Sequence, residues 1–280
     1  MLPSDAVLIT GCSSGIGFAT AERLAGEFTV YATARKVETL RDLEAKGCHA
    51  LHLDVTDEDS MVAAVEQVEA DAGSVGALVN NAGYSQSGAL ETLSVESVRR
   101  QFETNVFGLL RLSQLVLPGM RRAGGGRIVN IGSMGGKLTF PGGGVYHATK
   151  HAVEALSDAM RFEVQGFGVR VVLIEPGLIR TEFANTAVAS VDSVADAGPY
   201  TKFNEVVRKS TAGVYKGPLG KLGGGPETVA EVIHKSLTTK RPRARYTVTP
   251  SAKLALLQRR LTPDALWDLS MRSQFPVPGA

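Results

Sequence analysis

The sequence predicts one α/β domain built on a doubly wound parallel sheet, and three observations predict it. Short apolar runs alternate with amphipathic stretches of helical spacing. The apolar runs lack the inside/outside alternation of a sheet with a wet face. No Pro/Gly-rich linker divides the 280 residues, a length that one core can enclose. The elements follow in chain order. Residues 6–10 read as a buried strand. Residues 15–27 read as a helix with Ile16, Ala19, Ala21 and Leu24 on its inner side. A second strand at 30–33, a short helix at 39–46 and a third strand at 51–53 come next. Thr56 with Asp59 three residues on is a helix-start signature that opens a helix over 57–72. A fourth strand spans 77–80, and a long helix over 95–117 stops at Pro118. A fifth strand at 127–131, a helix at 145–165 and a sixth strand at 170–174 complete the regular alternation.

Regularity fails between Leu178 and Pro226. In a doubly wound fold this stretch follows a strand's carboxyl end, where ligands bind, and so 178–226 is expected to be a substrate-binding lid on a single domain of 1–280. A helix at 227–240 and a strand at 245–248 follow. Residues 249–280 form a C-terminal helical extension, with Thr262, Pro263 and Asp264 starting its second helix.

Composition excludes several classes. A formal net charge of +2 is too small to imply nucleic acid as a partner. Cys12 and Cys48 are the two cysteines, too few for a disulfide-dense secreted scaffold and too few to build a zinc site, so no metal site is expected. The start of the chain lacks a basic region followed by an apolar run, and no window reaches the ~18 consecutive apolar residues of a membrane span. The expected location is the cytoplasm.

Between the first strand and first helix lies Thr10, Gly11, Cys12, Ser13, Ser14, Gly15, Ile16, Gly17. A helix N-terminus offers unpaired N–H groups and the positive end of a dipole, and glycines at 11, 15 and 17 let a pyrophosphate approach the backbone and the helix approach the sheet. This is a Rossmann-type dinucleotide-binding turn. The end of the second strand chooses between cofactors. A carboxylate there would bond the adenosine ribose and repel a 2′-phosphate. Ala34, Arg35 and Lys36 stand there instead, and a guanidinium grips phosphate by two hydrogen bonds, so the expected cofactor is NADP (NADPH) rather than NAD. Ser14 adds a hydroxyl.

Tyr146 and Lys150 are four apart at the start of a helix, on one face. Ser133 ends the fifth strand, Asn105 lies in the preceding long helix, and Asn80, Asn81, Ala82, Gly83 end the fourth strand. Together with the glycine turn and with Pro176, Gly177, Leu178, Ile179, Arg180, Thr181, these residues closely resemble the short-chain dehydrogenase/reductase family over roughly residues 7–181, with a flavour of its 17β-hydroxysteroid and retinol dehydrogenase branch. The resemblance implies roles. Asn105, Ser133, Tyr146 and Lys150 match the catalytic tetrad. Asp54 would bind the adenine amino group with Val55 beside it. Asn81, Ala82 and Gly83 would lie along the cofactor. Pro176, Gly177, Ile179 and Thr181 would hold the nicotinamide amide. Tyr146 would pass a proton to or from the substrate oxygen, its pKa lowered by the Lys150 cation, which also holds the nicotinamide ribose. Ser133 would bond the substrate oxygen, and Asn105 would hold a water linking Lys150 to solvent. Homodimers or homotetramers through the helices at 95–117 and 145–165 are implied in the same way.

Met134, Leu138, Phe140, Phe183 and Tyr200 suggest an apolar pocket, and the expected substrate is a hydrophobic ketone, aldehyde or matching alcohol. His147 reads as a cleft-wall residue and His151 as structural. Two other readings stay open: a non-catalytic NADP(H)-binding sensor on the same fold, and a peripheral membrane protein using the basic run 240–245 with Leu254, Leu257 and Leu261.

Overall fold

The structure, a computed structural model, describes residues 2–192 and 198–279. Its strands are β1 (Ala6–Ile9), β2 (Thr29–Ala34), β3 (His49–His52), β4 (Ala77–Asn80), β5 (Gly126–Ile131), β6 (Val169–Glu175) and β7 (Arg245–Thr247). They form one parallel sheet in the order β3-β2-β1-β4-β5-β6-β7. The helices are α1 (Gly15–Leu24), α2 (Arg41–Glu44), α3 (Glu58–Ala72), α4 (Val95–Phe102), α5 (Gly108–Arg122), α6 (Gly144–Glu163), α7 (Phe183–Asp192), α8 (Thr201–Gly213), α9 (Pro218–Lys221), α10 (Pro226–Thr238), α11 (Pro250–Leu261) and α12 (Asp264–Gln274). The chain order reverses between β1 and β4, which opens the crevice at the carboxyl ends of the strands.

Helices cover both faces of the sheet, which is why its strands lack alternation. Val7 and Ile9 pack toward Leu24, Val229 and Ile233 of α1 and α10, while Ala6 and Leu8 pack toward Val65, Val68, Leu112 and Val116 of α3 and α5. Each fully buried Leu or Val contributes about 1.5–3 kcal/mol. A polar ladder crosses the second layer. Asn80 Nδ2 donates to Ser113 Oγ at 3.1 Å and Asn130 Oδ1 at 3.0 Å, and Asn130 Nδ2 donates to Ser157 Oγ at 2.9 Å. These satisfied groups tie α5, β4, β5 and α6 together beneath the crevice.

Several elements depart from the sequence-based expectation. Asp57, not Thr56, caps α3, its carboxylate accepting from the N–H groups of Asp59 and Ser60. Thr56 instead donates its hydroxyl to Asp54. The strand expected at 51–53 lies at His49–His52, where Tyr31 pairs with His49 in register and stacks on its ring at 4.9 Å. The helix expected over 95–117 is α4 and α5 joined by one π-helical turn, Glu103–Phe107. It runs through Pro118 to Arg122, because the carbonyl that loses its partner belongs to the exposed Gln114. The segment 178–226 is largely helical (α7, α8, α9), apart from residues 193–197, which lie outside the described residues. α8 buries only Phe203, Asn204 and Val207, too few to produce a readable period.

Residues 240–244 precede β7 and α11 follows it, so the basic run and the leucine stripe lie at opposite ends of that three-residue strand. Arg245 is engaged with Glu154 and Asp158. No described helix is long and apolar enough to cross a membrane.

Candidate active site

Gly11 and Gly15 hold φ of +72° and +59°, a left-handed conformation in which glycine is favoured. A Cβ at Gly17 would overlap the Gly11 carbonyl oxygen and press on Asn81 Nδ2 at 2.6 Å. The turn is stitched to the neighbouring strands. Thr10 Oγ1 accepts from the N–H groups of Asn81 and Ala82, both at 2.9 Å, and Asn81 Nδ2 donates to the carbonyls of Thr10 at 2.9 Å and Gly11 at 3.1 Å. Cys12 N–H donates to Thr33 O at 2.8 Å. Ser14 occupies the cap position of α1 without bonding its N–H groups, so these stay available to an anion.

One cleft of about 1460 Å³ runs from this turn across the strand ends. It exceeds the ~300–1,000 Å³ of an ordinary small-molecule pocket and is large enough for a dinucleotide with a second molecule. Gly11, Ser13, Ser14, Gly15, Ile16, Arg35, Asp54, Val55, Asn81, Ala82, Gly83, Ser133, Tyr146, Lys150, Pro176, Gly177, Ile179 and Thr181 all line it. Gly17 and Asn105 do not, the first lying under the turn and the second beneath the floor. Arg35 is exposed at the end of β2 and has no ion pair or hydrogen bond among the described residues. Asp54 has one carboxylate oxygen engaged by Thr56 N–H at 2.9 Å and Thr56 Oγ1 at 2.8 Å, leaving the other for a ligand.

At the far end, Lys150 Nζ lies 5.8 Å from the centre of the Tyr146 ring and donates to Ile131 O at 2.7 Å. Ser133 Oγ accepts from Gly135 N–H at 3.0 Å, which leaves its own proton to donate. Burial pushes the Tyr146 phenol up to about 12, the neighbouring Ser133 hydroxyl offsetting part of the effect. Burial pulls the Lys150 ammonium down to about 8. The expected lowering of the tyrosine by lysine is thus corrected: burial of the phenol sets the direction, and the group that offsets it is the Ser133 hydroxyl rather than the Lys150 cation. Asn105 sits in the π-helical turn, and its amide is committed to protein. Nδ2 donates to Tyr84 O at 2.9 Å and Thr149 Oγ1 at 3.1 Å, and Oδ1 accepts from Tyr84 N–H at 3.1 Å. Its side chain fixes the loop after β4 to α6.

Ile179 is bridged to Gly224, and Arg180 N–H donates to Gly224 O and Gly224 N–H to Leu178 O, both at 2.9 Å. Tyr215 Oη reaches Ile179 O at 2.5 Å. Beside the site, Glu154 and Glu175 share two cations, Lys137 (3.5 and 3.3 Å) and Arg245 (3.1 and 3.5 Å). Burial and the Glu175 charge push Glu154 up to about 7.

Of the expected apolar wall, Met134, Phe140 and Phe183 line the cleft. Leu138 is core, and Tyr200 turns away to bond Glu91 at 2.5 Å. His147 and His151 are four apart, a spacing that can serve a metal, but each has Nδ1 on a main-chain carbonyl, of Gly135 and His147 respectively. Among the described residues no group of three potential ligands gathers. The cleft also holds residues no motif flagged: Tyr84, Arg100, Thr104 and Tyr215. Tyr84 directly follows the Asn-Asn-Ala-Gly run and was within reach of sequence reasoning, whereas Arg100 and Thr104 come from α4 and the π-helical turn and Tyr215 from the turn after α8, none with a local pattern.

Residues 5–192 match the family model described as short chain dehydrogenase. The uncharacterized oxidoreductase YusZ of Bacillus subtilis is 38% identical over 96% of this chain and 97% of its own. The NADPH-dependent 3-dehydrocapnine reductase of Ornithobacterium rhinotracheale is 35% identical over 93% of this chain and 94% of its own. The 17-beta-hydroxysteroid dehydrogenase type 1 of Homo sapiens is 38% identical over 91% and 80%. Among solved structures, a serine dehydrogenase complexed with NADP+ superposes with a TM-score of 0.75 at 30% identity, covering 88% of this chain and 94% of that one. A short chain dehydrogenase/reductase from Burkholderia phymatum in complex with NAD superposes with a TM-score of 0.77 at 23% identity, covering 98% and 96%, a likeness of fold.

Proposed function

Since this chain belongs to the short-chain dehydrogenase family, we propose that it is an NADP(H)-dependent oxidoreductase that reduces a hydrophobic ketone or aldehyde, or oxidises the matching alcohol. The observation that carries this reading is the convergence of Tyr146, Lys150 and Ser133 on the same cleft as the glycine turn. The residues fit a dinucleotide. The turn has the cradle that only glycine leaves open, α1 presents uncapped N–H groups, and Arg35 is an unpartnered cation where a 2′-phosphate would lie. Gly11, Ser13, Ser14, Gly15 and Ile16 would hold the pyrophosphate, and Asp54 and Val55 the adenine. Asn81, Ala82 and Gly83 would flank the molecule. Lys150 would hold the nicotinamide ribose, and Pro176, Gly177, Ile179 and Thr181 the amide.

When bound, the dinucleotide supplies or takes up the hydride. The protein supplies the proton and the geometry. With its pKa up at about 12, Tyr146 keeps its proton across the physiological range, as a general acid for carbonyl reduction must. Ser133 donates its hydroxyl proton to the carbonyl oxygen as charge develops there. The Lys150 ammonium stabilises the phenolate that remains. Asn105 positions α6 and the loop after β4. Segment 178–226, with Phe183 and Tyr215, would close over the substrate as a lid.

The test is loss of NADPH absorbance against a panel of hydrophobic ketones, with NADH in parallel and with Tyr146→Phe. NADPH-dependent turnover abolished by the substitution is the expected result. Binding without turnover of any ketone or alcohol would favour the sensor reading, and clear preference for NADH would overturn the role of Arg35.

A further inference from the structure

His147 is more elaborately seated than a wall residue requires. It is 8% exposed, follows Tyr146 directly and meets its ring edge-on at 5.6 Å. Two glycines make room for it. A Cβ at Gly135 would stand 2.6 Å from Nδ1, and one at Gly143 would stand 2.9 Å from Nε2. Nδ1 lies 3.0 Å from Gly135 O. A carbonyl can only accept, so the proton is on Nδ1 and the neutral ring carries its lone pair on Nε2. Burial lowers the pKa of the ring, in keeping with the neutral form. Nε2 has no hydrogen-bond partner among the described residues, yet it is not among the sealed, unpartnered atoms, so it opens to the cleft that His147 lines. Around it the wall is Phe140, Gly142, Gly143 and Tyr146. A lone acceptor in such a wall is penalised against an all-apolar ligand and matched by one that brings a donor.

We propose that His147 Nε2 determines specificity by accepting a hydrogen bond from a hydroxyl or amine carried beside the reacting carbonyl, so that the preferred substrates are hydroxy- or amino-ketones rather than plain ones. This rests on the carbonyl-reductase reading above and names its substrate class. The same ring also steadies the reaction site. The Gly135 peptide whose carbonyl it holds donates its N–H to Ser133 Oγ. The two contributions separate by substitution. His147→Asn keeps a donor where Nδ1 stands and removes the Nε2 acceptor. His147→Gln places an amide oxygen near Nε2 and loses the tie to Gly135.

The experiment compares kcat/KM for a long-chain methyl ketone and for its hydroxymethyl and aminomethyl counterparts, in wild type, His147→Asn, His147→Gln and Tyr146→Phe. The expected wild-type preference for the donor-bearing ketones is roughly 10–100-fold, lost in His147→Asn and partly restored in His147→Gln. A preference that survives in His147→Asn overturns the proposal and leaves His147 as a support for the Ser133 turn. Equal kcat/KM for all three ketones in wild type overturns it as well. A wild type that reduces no ketone overturns the reductase reading and this proposal with it, whereas turnover abolished by Tyr146→Phe together with an unchanged preference in His147→Asn upholds the first and refutes the second.

Discussion

Arg35→Ala is a clean perturbation, because the exposed guanidinium has no partner among the described residues and its loss should leave the fold intact, with Tm within about 1–2 °C of wild type. Its effect should fall on one nucleotide. A charge-assisted hydrogen bond to phosphate contributes about 1.5–3 kcal/mol. Among the described residues no hydrogen bond or ion pair holds this side chain, and it is exposed, so the low end applies. At 1.4 kcal/mol per decade, that raises the Kd for NADPH by roughly tenfold, while the Kd for NADH moves by less than about threefold. Salt supplies an internal control. The Debye length shrinks from about 10 Å at 0.1 M to 3 Å at 1 M, so the NADPH advantage of wild type over the variant should narrow across that range. Arg35→Asp should go further, repelling the 2′-phosphate and offering the ribose of NADH a carboxylate. Isothermal titration of both nucleotides against wild type and both variants measures this directly. An equal loss for NADPH and NADH, or no loss for either, would refute the assignment of Arg35 to the phosphate.

Other outcomes follow from the same geometry. Tyr146→Phe should lower kcat by about 10²–10⁴-fold while nucleotide affinity stays within about threefold, as calorimetry alongside turnover will show. Gly17→Ala should lower Tm by roughly 3–7 °C, because the added methyl meets a backbone carbonyl and an amide that already makes two bonds; overpacking and one lost bond cost about 2–4 kcal/mol, and an unchanged melt would contradict the close approach. Ketone reduction should decline as pH rises through about 8, where Lys150 loses the charge that stabilises the phenolate, and this limb should be absent from the residual rate of Lys150→Met. Glu154, raised from 4.5 to about 7, binds its proton more tightly folded than unfolded, so its contribution is full below about 4.5 and is lost as pH rises through 7. Thermal stability should therefore fall between pH 5 and 8 by about 1–2 kcal/mol, and Glu154→Gln should flatten that slope.

The parallel sheet was legible because its strands are short and apolar on both faces, and the phosphate turn because contiguous residues build it. Of the site residues inferred from sequence, most reach the cleft from strand ends, where topology alone places them, while Tyr146 and Lys150 reach it from the first two turns of α6. The rest depended on contacts between distant parts of the chain. Nothing near Asn105 says that its amide is held by Tyr84 and Thr149, since a π-helical turn has no period to read. Thr56 and Asp57 are both good caps one residue apart, and only Asp54, which takes the Thr56 hydroxyl, decides between them. Pro118 breaks the rule for helix interiors at a place where the carbonyl that loses its donor belongs to an exposed residue, Gln114. The direction of the Tyr146 shift was not legible because it is set by burial, and depth does not show in a sequence.

The tie between residues 178–180 and 224 has a consequence for how such a protein can change. It closes the intervening chain into a loop whose feet sit between the end of β6 and the start of α10, and whose further ties run to the loop after β4, from Ser87 N–H to Ser190 Oγ and from Ala89 N–H to Asn204 Oδ1, both at 2.9 Å, rather than to the strands. Doubling the length of such a loop costs only about 0.6 kcal/mol in closure entropy. The residues it contributes to the cleft, Phe183, Ala187, Val207 and Tyr215 among them, can therefore be exchanged as a cassette while the part of the cleft built from β1, β4, β5 and α6 keeps its shape. A graft of this segment between family members should carry substrate preference with it and leave nucleotide binding behind.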